Sequence, residues 1–154
     1  MRPLMSLVRL VDRRPSLSAD ELVAGFVPPA RFAGVRFDNY VPNPAHPAQA
    51  EALAALRAFS AALDGPAPDP GGKRFFRRSA PPLPSATPAA LYLDGGYGVG
   101  KTPLIAALFH AVAGPAAYLT FAELTAVIGF VGMDEAVRAF SQYRLICIDE
   151  FELD

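Results

Sequence analysis

The apolar positions of this chain change their spacing several times, and each change marks an element. From Ala48 to Leu63 they recur every three or four residues, at Leu53, Leu56, Phe59 and Leu63, which predicts an amphipathic helix. Ala90-Leu-Tyr-Leu-Asp94 is a short apolar run and predicts a strand. Leu104 to Val112 follows as a helical stretch, and Ala116-Ala-Tyr-Leu-Thr120 as a second strand. Thr120-Phe-Ala-Glu123 sets a hydroxyl and a carboxylate three residues apart. This capping box starts a helix that runs to about Phe130 and is broken by Gly132. Asp134–Tyr143 is a further helical stretch. Leu145-Ile-Cys-Ile148, four apolar residues in a row, reads as a buried parallel strand.

Upstream, Ser18-Ala-Asp-Glu21 is another capping box, opening a short helix that Gly25, Pro28 and Pro29 end. Arg31–Pro44 predicts irregular or extended chain with Phe32, Phe37 and Tyr40 as its aromatic content. The order strand, loop, helix, strand, helix, strand argues an α/β fold, a parallel sheet flanked by helices. A helical segment over residues 1–30 precedes the main unit, residues 31–154. Within that unit, residues 65–89 are dense in Pro and Gly and predict a mobile insertion. The insertion carries Lys73-Arg-Phe-Phe-Arg-Arg78, which is short and isolated and reads as a solvated loop rather than a nucleic-acid surface.

Composition narrows the classes further. With 154 residues, 52% of them hydrophobic, one domain with a real core is the natural expectation. A net charge of −1 gives no general attraction to nucleic acid or acidic membrane. No apolar run has transmembrane length. Arg2, Arg9, Arg13 and Arg14 near the start are not followed by the apolar core of a secretory signal. The single cysteine, Cys147, excludes an internal disulfide and a cysteine cluster, and is expected to pack as a small apolar residue. His46 and His110 are too scattered for a zinc site. These features fit a reducing, cytoplasmic setting.

The candidate chemistry lies in two motifs. Gly95-Gly-Tyr-Gly-Val-Gly-Lys-Thr102 has the form Gly-x4-Gly-Lys-Thr of a phosphate-binding loop. Gly95, Gly96, Tyr97, Gly98, Val99 and Gly100 let successive backbone N–H groups turn inward around phosphate oxygens, and the following helix N-terminus adds its positive end. Lys101 reaches the β- and γ-phosphates, and Thr102 puts its hydroxyl on Mg²⁺. Lys73 and Lys101 are the two lysines of an arginine-rich chain, so a lysine at this position stands out. A compact ammonium suits a phosphate cradle better than a planar fork. Pro103 is tolerable in a first helical turn, where its missing N–H has no intrahelical partner. Asp149 and Glu150 end the last strand, where ligands bind in open α/β sheets. Asp149 is expected to hold Mg²⁺ through water, and Glu150 to orient the water attacking the γ-phosphate. The bland alternatives are a glycine-rich turn and a strand ending in solvated acids.

Leu91–Thr102 together with Cys147-Ile-Asp-Glu-Phe-Glu-Leu-Asp154 resembles the ZapE-type AAA+ ATPases, bacterial cell-division proteins with mitochondrial relatives. Pro28-Pro-Ala-Arg-Phe-Ala-Gly-Val-Arg-Phe-Asp-Asn-Tyr-Val-Pro42, with Gln49 beginning the next helix, is also similar. The resemblance spans most of residues 27–154 apart from the Pro-rich insertion. It implies an AAA+ P-loop fold, ATP and Mg²⁺ as cofactors, ring-forming homo-oligomers, and a protein partner of the division machinery. It implies that Phe37 and Tyr40 touch the adenine, against core packing for both. Pro103 departs from the family, which carries a larger aromatic or His there. Length departs too, for members run roughly twice as far. The resemblance therefore leaves the sensor strand, the arginine finger and the helical lid beyond Asp154, and the domain incomplete. It also implies that the sensor strand separates Ala90–Asp94 from Leu145–Asp149.

Three functions follow from these motifs: an ATPase that remodels or regulates a protein assembly, a fragment that at most binds nucleotide or a partner, and a small-molecule kinase. The kinase is the weakest, since an Asp-Glu strand end suits water activation rather than alignment of an acceptor.

Overall fold

Two capping boxes start helices where the sequence places them. A computed structural model describes residues 17–64 and 90–151. Ser18 Oγ accepts from the Glu21 N–H, and the Glu21 carboxylate accepts in return from the Ser18 N–H, opening α1 (Ala19–Ala24). Thr120 and Glu123 repeat the arrangement at 3.2 and 2.7 Å. They open α4 (Phe121–Val131), which Gly132 ends. Thr120→Ala is expected to lower the unfolding free energy by about 1 kcal/mol. Denaturant unfolding would show a lower midpoint at an unchanged slope, and Thr120→Ser should restore most of the loss.

The remaining helices are α2 (Pro47–Leu63), α3 (Lys101–Ala111) and α5 (Met133–Phe140), with a single 3₁₀ turn at Ala30–Phe32 in the otherwise irregular stretch after α1. α5 stops short of the expected Tyr143. Ser141 and Gln142 turn out of the helix, and the Arg144 N–H is drawn to the Pro115 carbonyl at 2.8 Å to start the next strand.

The strands β1 (Ala116–Thr120) and β2 (Leu145–Asp149) pair in parallel, with Tyr118 opposite Cys147 and Thr120 opposite Asp149. α4 and α5 make the crossover that parallel strands require. Helices pack on both faces, which suits strands that are apolar on both sides, although Ile146 of β2 stays exposed. On one face Tyr118, Leu145 and Cys147 pack with Phe37, Leu56, Phe59 and Leu104 of the α2–α3 layer. On the other, Ala117 and Leu119 pack with Val23 of α1, Val127 of α4, and Ala136 and Phe140 of α5. The N-terminal helix is thus part of this second core. Just beyond it, the Phe26 carbonyl accepts from the Tyr118 N–H at 2.9 Å.

One expected strand is absent. Ala90–Asp94 alternates exposed and half-buried residues, yet it forms no ladder, and the sheet has two strands among the described residues. The alternation comes from Leu91 and Leu93 packing on the α2–α3 core. A strand also needs a partner for its backbone groups, and β2 does not supply one here. The insertion at 65–89, its basic-aromatic patch and the first sixteen residues lie outside the described residues.

Candidate functional site

Two segments far apart in sequence meet at the C-terminal end of β2. The loop Gly95–Gly100 leads into α3, with Gly100 as its N-cap at φ 91°. That left-handed conformation favours glycine. A Cβ there would also lie 2.7 Å from the Tyr40 hydroxyl. The first turn of α3 follows directly, and because N–H groups at a helix N-terminus have no intrahelical acceptor, this end of α3 suits anionic oxygens. Pro103 sits within that first turn and removes only one of these orphan donors. Lys101 Nζ donates to the loop's own carbonyls, those of Gly95 and Gly96. Tyr97 is 87% exposed at the loop's tip, so its side chain has no packing role there.

The outer side of the loop is buttressed. Gln49, in the first turn of α2, donates from Nε2 to the Val99 carbonyl at 3.0 Å, while its Oε1 accepts from the Asn43 N–H at 2.7 Å. Tyr40 presses its hydroxyl against Gly100, and burial raises its phenol pKa. Phe37 is instead buried in the core, under the Arg57 guanidinium.

Across from the loop, Asp149 is 8% exposed and is engaged at both oxygens. Oδ1 accepts from Thr102 Oγ1 at 3.3 Å and from the Glu150 N–H at 3.0 Å. Oδ2 accepts from the Tyr118 hydroxyl at 2.6 Å. Burial first, and the Asp149 bond second, push the Tyr118 phenol well above its ordinary range, so it stays a donor. Cys147 is buried as expected, with its thiol pushed up to about 12 by burial and then by the Asp149 charge. It is a packing residue. His110 lies on α3 with Nε2 3.2 Å from the Phe32 carbonyl, away from the loop.

Glu150 is exposed and has φ 54°, the one described residue other than glycine in the left-handed region. Such a conformation costs on the order of 1–3 kcal/mol and persists where neighbours enforce it. Here Phe151 follows immediately and packs edge-on against Phe121 at 4.7 Å and Tyr92 at 6.5 Å. A cavity of about 1340 Å³ runs between the loop with its lead-in, Leu91 to Asp94, and the residues of β2 through Phe151.

The donor set fits a nucleotide with a divalent ion. A hydroxyl and a carboxylate oxygen converge beside the glycine loop, where Thr102 Oγ1 and Asp149 Oδ1 lie 3.3 Å apart. No group of three or more acidic, His or Cys side chains able to hold a metal exists among the described residues. A hard cation here would therefore take its remaining oxygens from phosphate and water, which is the usual habit of Mg²⁺.

Tyr118, Gln49 and Asn43 escaped the sequence reading of the site. For Tyr118 the signal was a hydroxyl in the middle of a buried strand, two residues before its end. It became informative only once β1 was known to pair with β2.

A glycine loop that caps a helix, facing a carboxylate at the end of a parallel strand, defines the P-loop nucleotide-binding class. Comparison with protein families agrees: the model of the AFG1-like ATPases matches residues 26–154, and the chain belongs to that family. No curated protein and no solved structure matches the chain. Among the described residues, no helix is long and apolar enough to cross a membrane.

Proposed function

We propose that this chain binds ATP with Mg²⁺ at the Gly95–Thr102 loop, and that Glu150 makes the site hydrolytic. One observation carries the reading: Thr102 Oγ1 and Asp149 Oδ1 stand 3.3 Å apart although 47 residues separate them. The loop N–H groups from Gly96 to Gly100 would receive phosphate oxygens, and that of Gly95 would first have to leave Asp94 Oδ1, to which it donates at 2.7 Å. Lys101 would exchange the carbonyls of Gly95 and Gly96 for the β- and γ-phosphate oxygens. Thr102 and Asp149 would hold the ion, which when bound offsets charge on the phosphates. Glu150, exposed beside this opening, would accept a proton from water and aim it at the γ-phosphorus. The work done with that energy is remodelling of a protein assembly, with the division machinery as the partner that the motif resemblance suggests. A homo-oligomer and a cytoplasmic setting belong to the same reading.

Lys101→Ala tests it. Removing one charge-assisted contact of about 1.5–3 kcal/mol should weaken ATP binding roughly 10- to 100-fold, measured by titration with a fluorescent ATP analogue. Equal affinity in the variant would sink the reading.

A second reading is nucleotide binding without turnover. The cavity between the loop and β2 favours it, because no backbone ladder fixes Lys101 relative to Glu150. A misplacement of about 1 Å costs on the order of a hundredfold in rate. Phosphate release measured on the wild-type chain separates the two.

A further inference from the structure

Both oxygens of the Asp149 carboxylate are engaged, in different ways. Oδ1 meets Thr102 Oγ1 at 3.3 Å and the Glu150 N–H at 3.0 Å. Oδ2 meets the Tyr118 hydroxyl at 2.6 Å, the shortest bond of the three. Tyr118 is 4% exposed, so this bond is shielded from competing water. An aspartate side chain turns about two torsions, and rotation about either would swing Oδ1 away from Thr102. The phenol resists that rotation because it is itself held. The register sets Tyr118 opposite Cys147, on the face that also carries Asp149, so its hydroxyl reaches one step further along β2. Phe109 of α3 packs edge-on against its ring at 6.3 Å.

We propose that Tyr118 is a positioning residue for metal–nucleotide binding, its hydroxyl locking Asp149 so that Oδ1 is presented beside Thr102. The proposal rests on the ATP–Mg²⁺ reading above. It differs from a buried tyrosine that merely satisfies its hydroxyl. Such a tyrosine needs only some acceptor, whereas here the acceptor is the carboxylate offered to the ion.

The readout is the Mg²⁺ enhancement of ATP binding, the ratio of the dissociation constant in EDTA to that in Mg²⁺, measured on the full chain. Partners that orient a metal-binding group typically contribute 10- to 100-fold to metal affinity. Tyr118→Phe should therefore cut the enhancement about tenfold or more while leaving the affinity in EDTA unchanged. A structural role alone would weaken both affinities together. Asp149→Asn, Lys101→Ala and the wild type complete the set. If Asp149→Asn loses the enhancement and Tyr118→Phe keeps it, the Tyr118 proposal is overturned and the metal reading stands. If Asp149→Asn keeps it, the metal reading falls first, and Lys101→Ala tells whether nucleotide binding survives. Should Tyr118→Phe fail to fold, a fluorotyrosine placed at position 118 in the otherwise unchanged chain gives the second measurement. Its ¹⁹F resonance should move when Mg²⁺ is added to the ATP complex, and an unmoved resonance overturns the proposal.

Discussion

Glu150→Gln is expected to lower ATP turnover by about 10²- to 10⁴-fold, the range for loss of a positioned general base. Affinity for ATP should stay at the wild-type level. The amide keeps the size and hydrogen-bonding reach of the carboxylate but cannot accept a proton from water at neutral pH. It also leaves intact what holds residue 150 in place: its N–H still donates to Asp149, and Phe151 still anchors the chain between Phe121 and Tyr92. Coupled measurement of phosphate release and nucleotide titration on the same preparation tests this. Turnover that persists in the variant removes Glu150 from the chemistry. Turnover missing already in the wild type, with ATP still bound, supports the second reading.

The largest expected loss of stability comes from Leu119→Ala. Leu119 has 0% exposure and is among the largest fully enclosed side chains described. It stands on the face of β1 that packs with Val23, Val127, Ala136 and Phe140, contributed by three helices. Truncation removes the transfer energy of the lost carbons and leaves a cavity that such a neighbourhood fills only in part. The cost of this change in cores is about 2–5 kcal/mol. Small domains hold only about 5–15 kcal/mol in all, so the variant should lose a large part of the whole. Urea unfolding followed by circular dichroism would show it, and Leu119→Met, nearly volume-conserving, should cost less than about 1.5 kcal/mol. A change below about 1 kcal/mol for Leu119→Ala would mean that the layer of α1, α4 and α5 is not tightly packed on this face of the sheet. Because Tyr118 and Thr120 flank Leu119, a partial collapse there should also weaken the Mg²⁺ enhancement.

Much of the fold was legible because it is written in local chemistry. The capping boxes at Ser18 and Thr120 work within three residues, so no knowledge of the rest of the chain was needed to place α1 and α4. The apolar runs at Ala116–Thr120 and Leu145–Asp149 are strands wherever they pair. Ala90–Asp94 shows the limit of the same reasoning. Its residues suit a strand and its side chains alternate as in one, yet a strand is defined by a neighbour's backbone, which no local pattern encodes. α5 likewise ended at Phe140 because a distant carbonyl, that of Pro115, claimed the Arg144 N–H.

The site divides in the same way. The sequence by itself determined the glycine loop that we propose binds phosphate, since Gly-x4-Gly-Lys-Thr specifies a backbone turn, an ammonium and a hydroxyl in one continuous stretch. It also determined that two carboxylates end an apolar strand. Only the tertiary structure decided that Thr102 and Asp149 face each other, because that depends on α3 packing against β2. Only it decided that Gln49 and Tyr40 brace the loop from behind, and that Tyr118 grips the far oxygen of Asp149. The physical reason is the same throughout. Turn and cap chemistry acts over a few residues, whereas a carboxylate's orientation is set by whatever the parallel register places beside it.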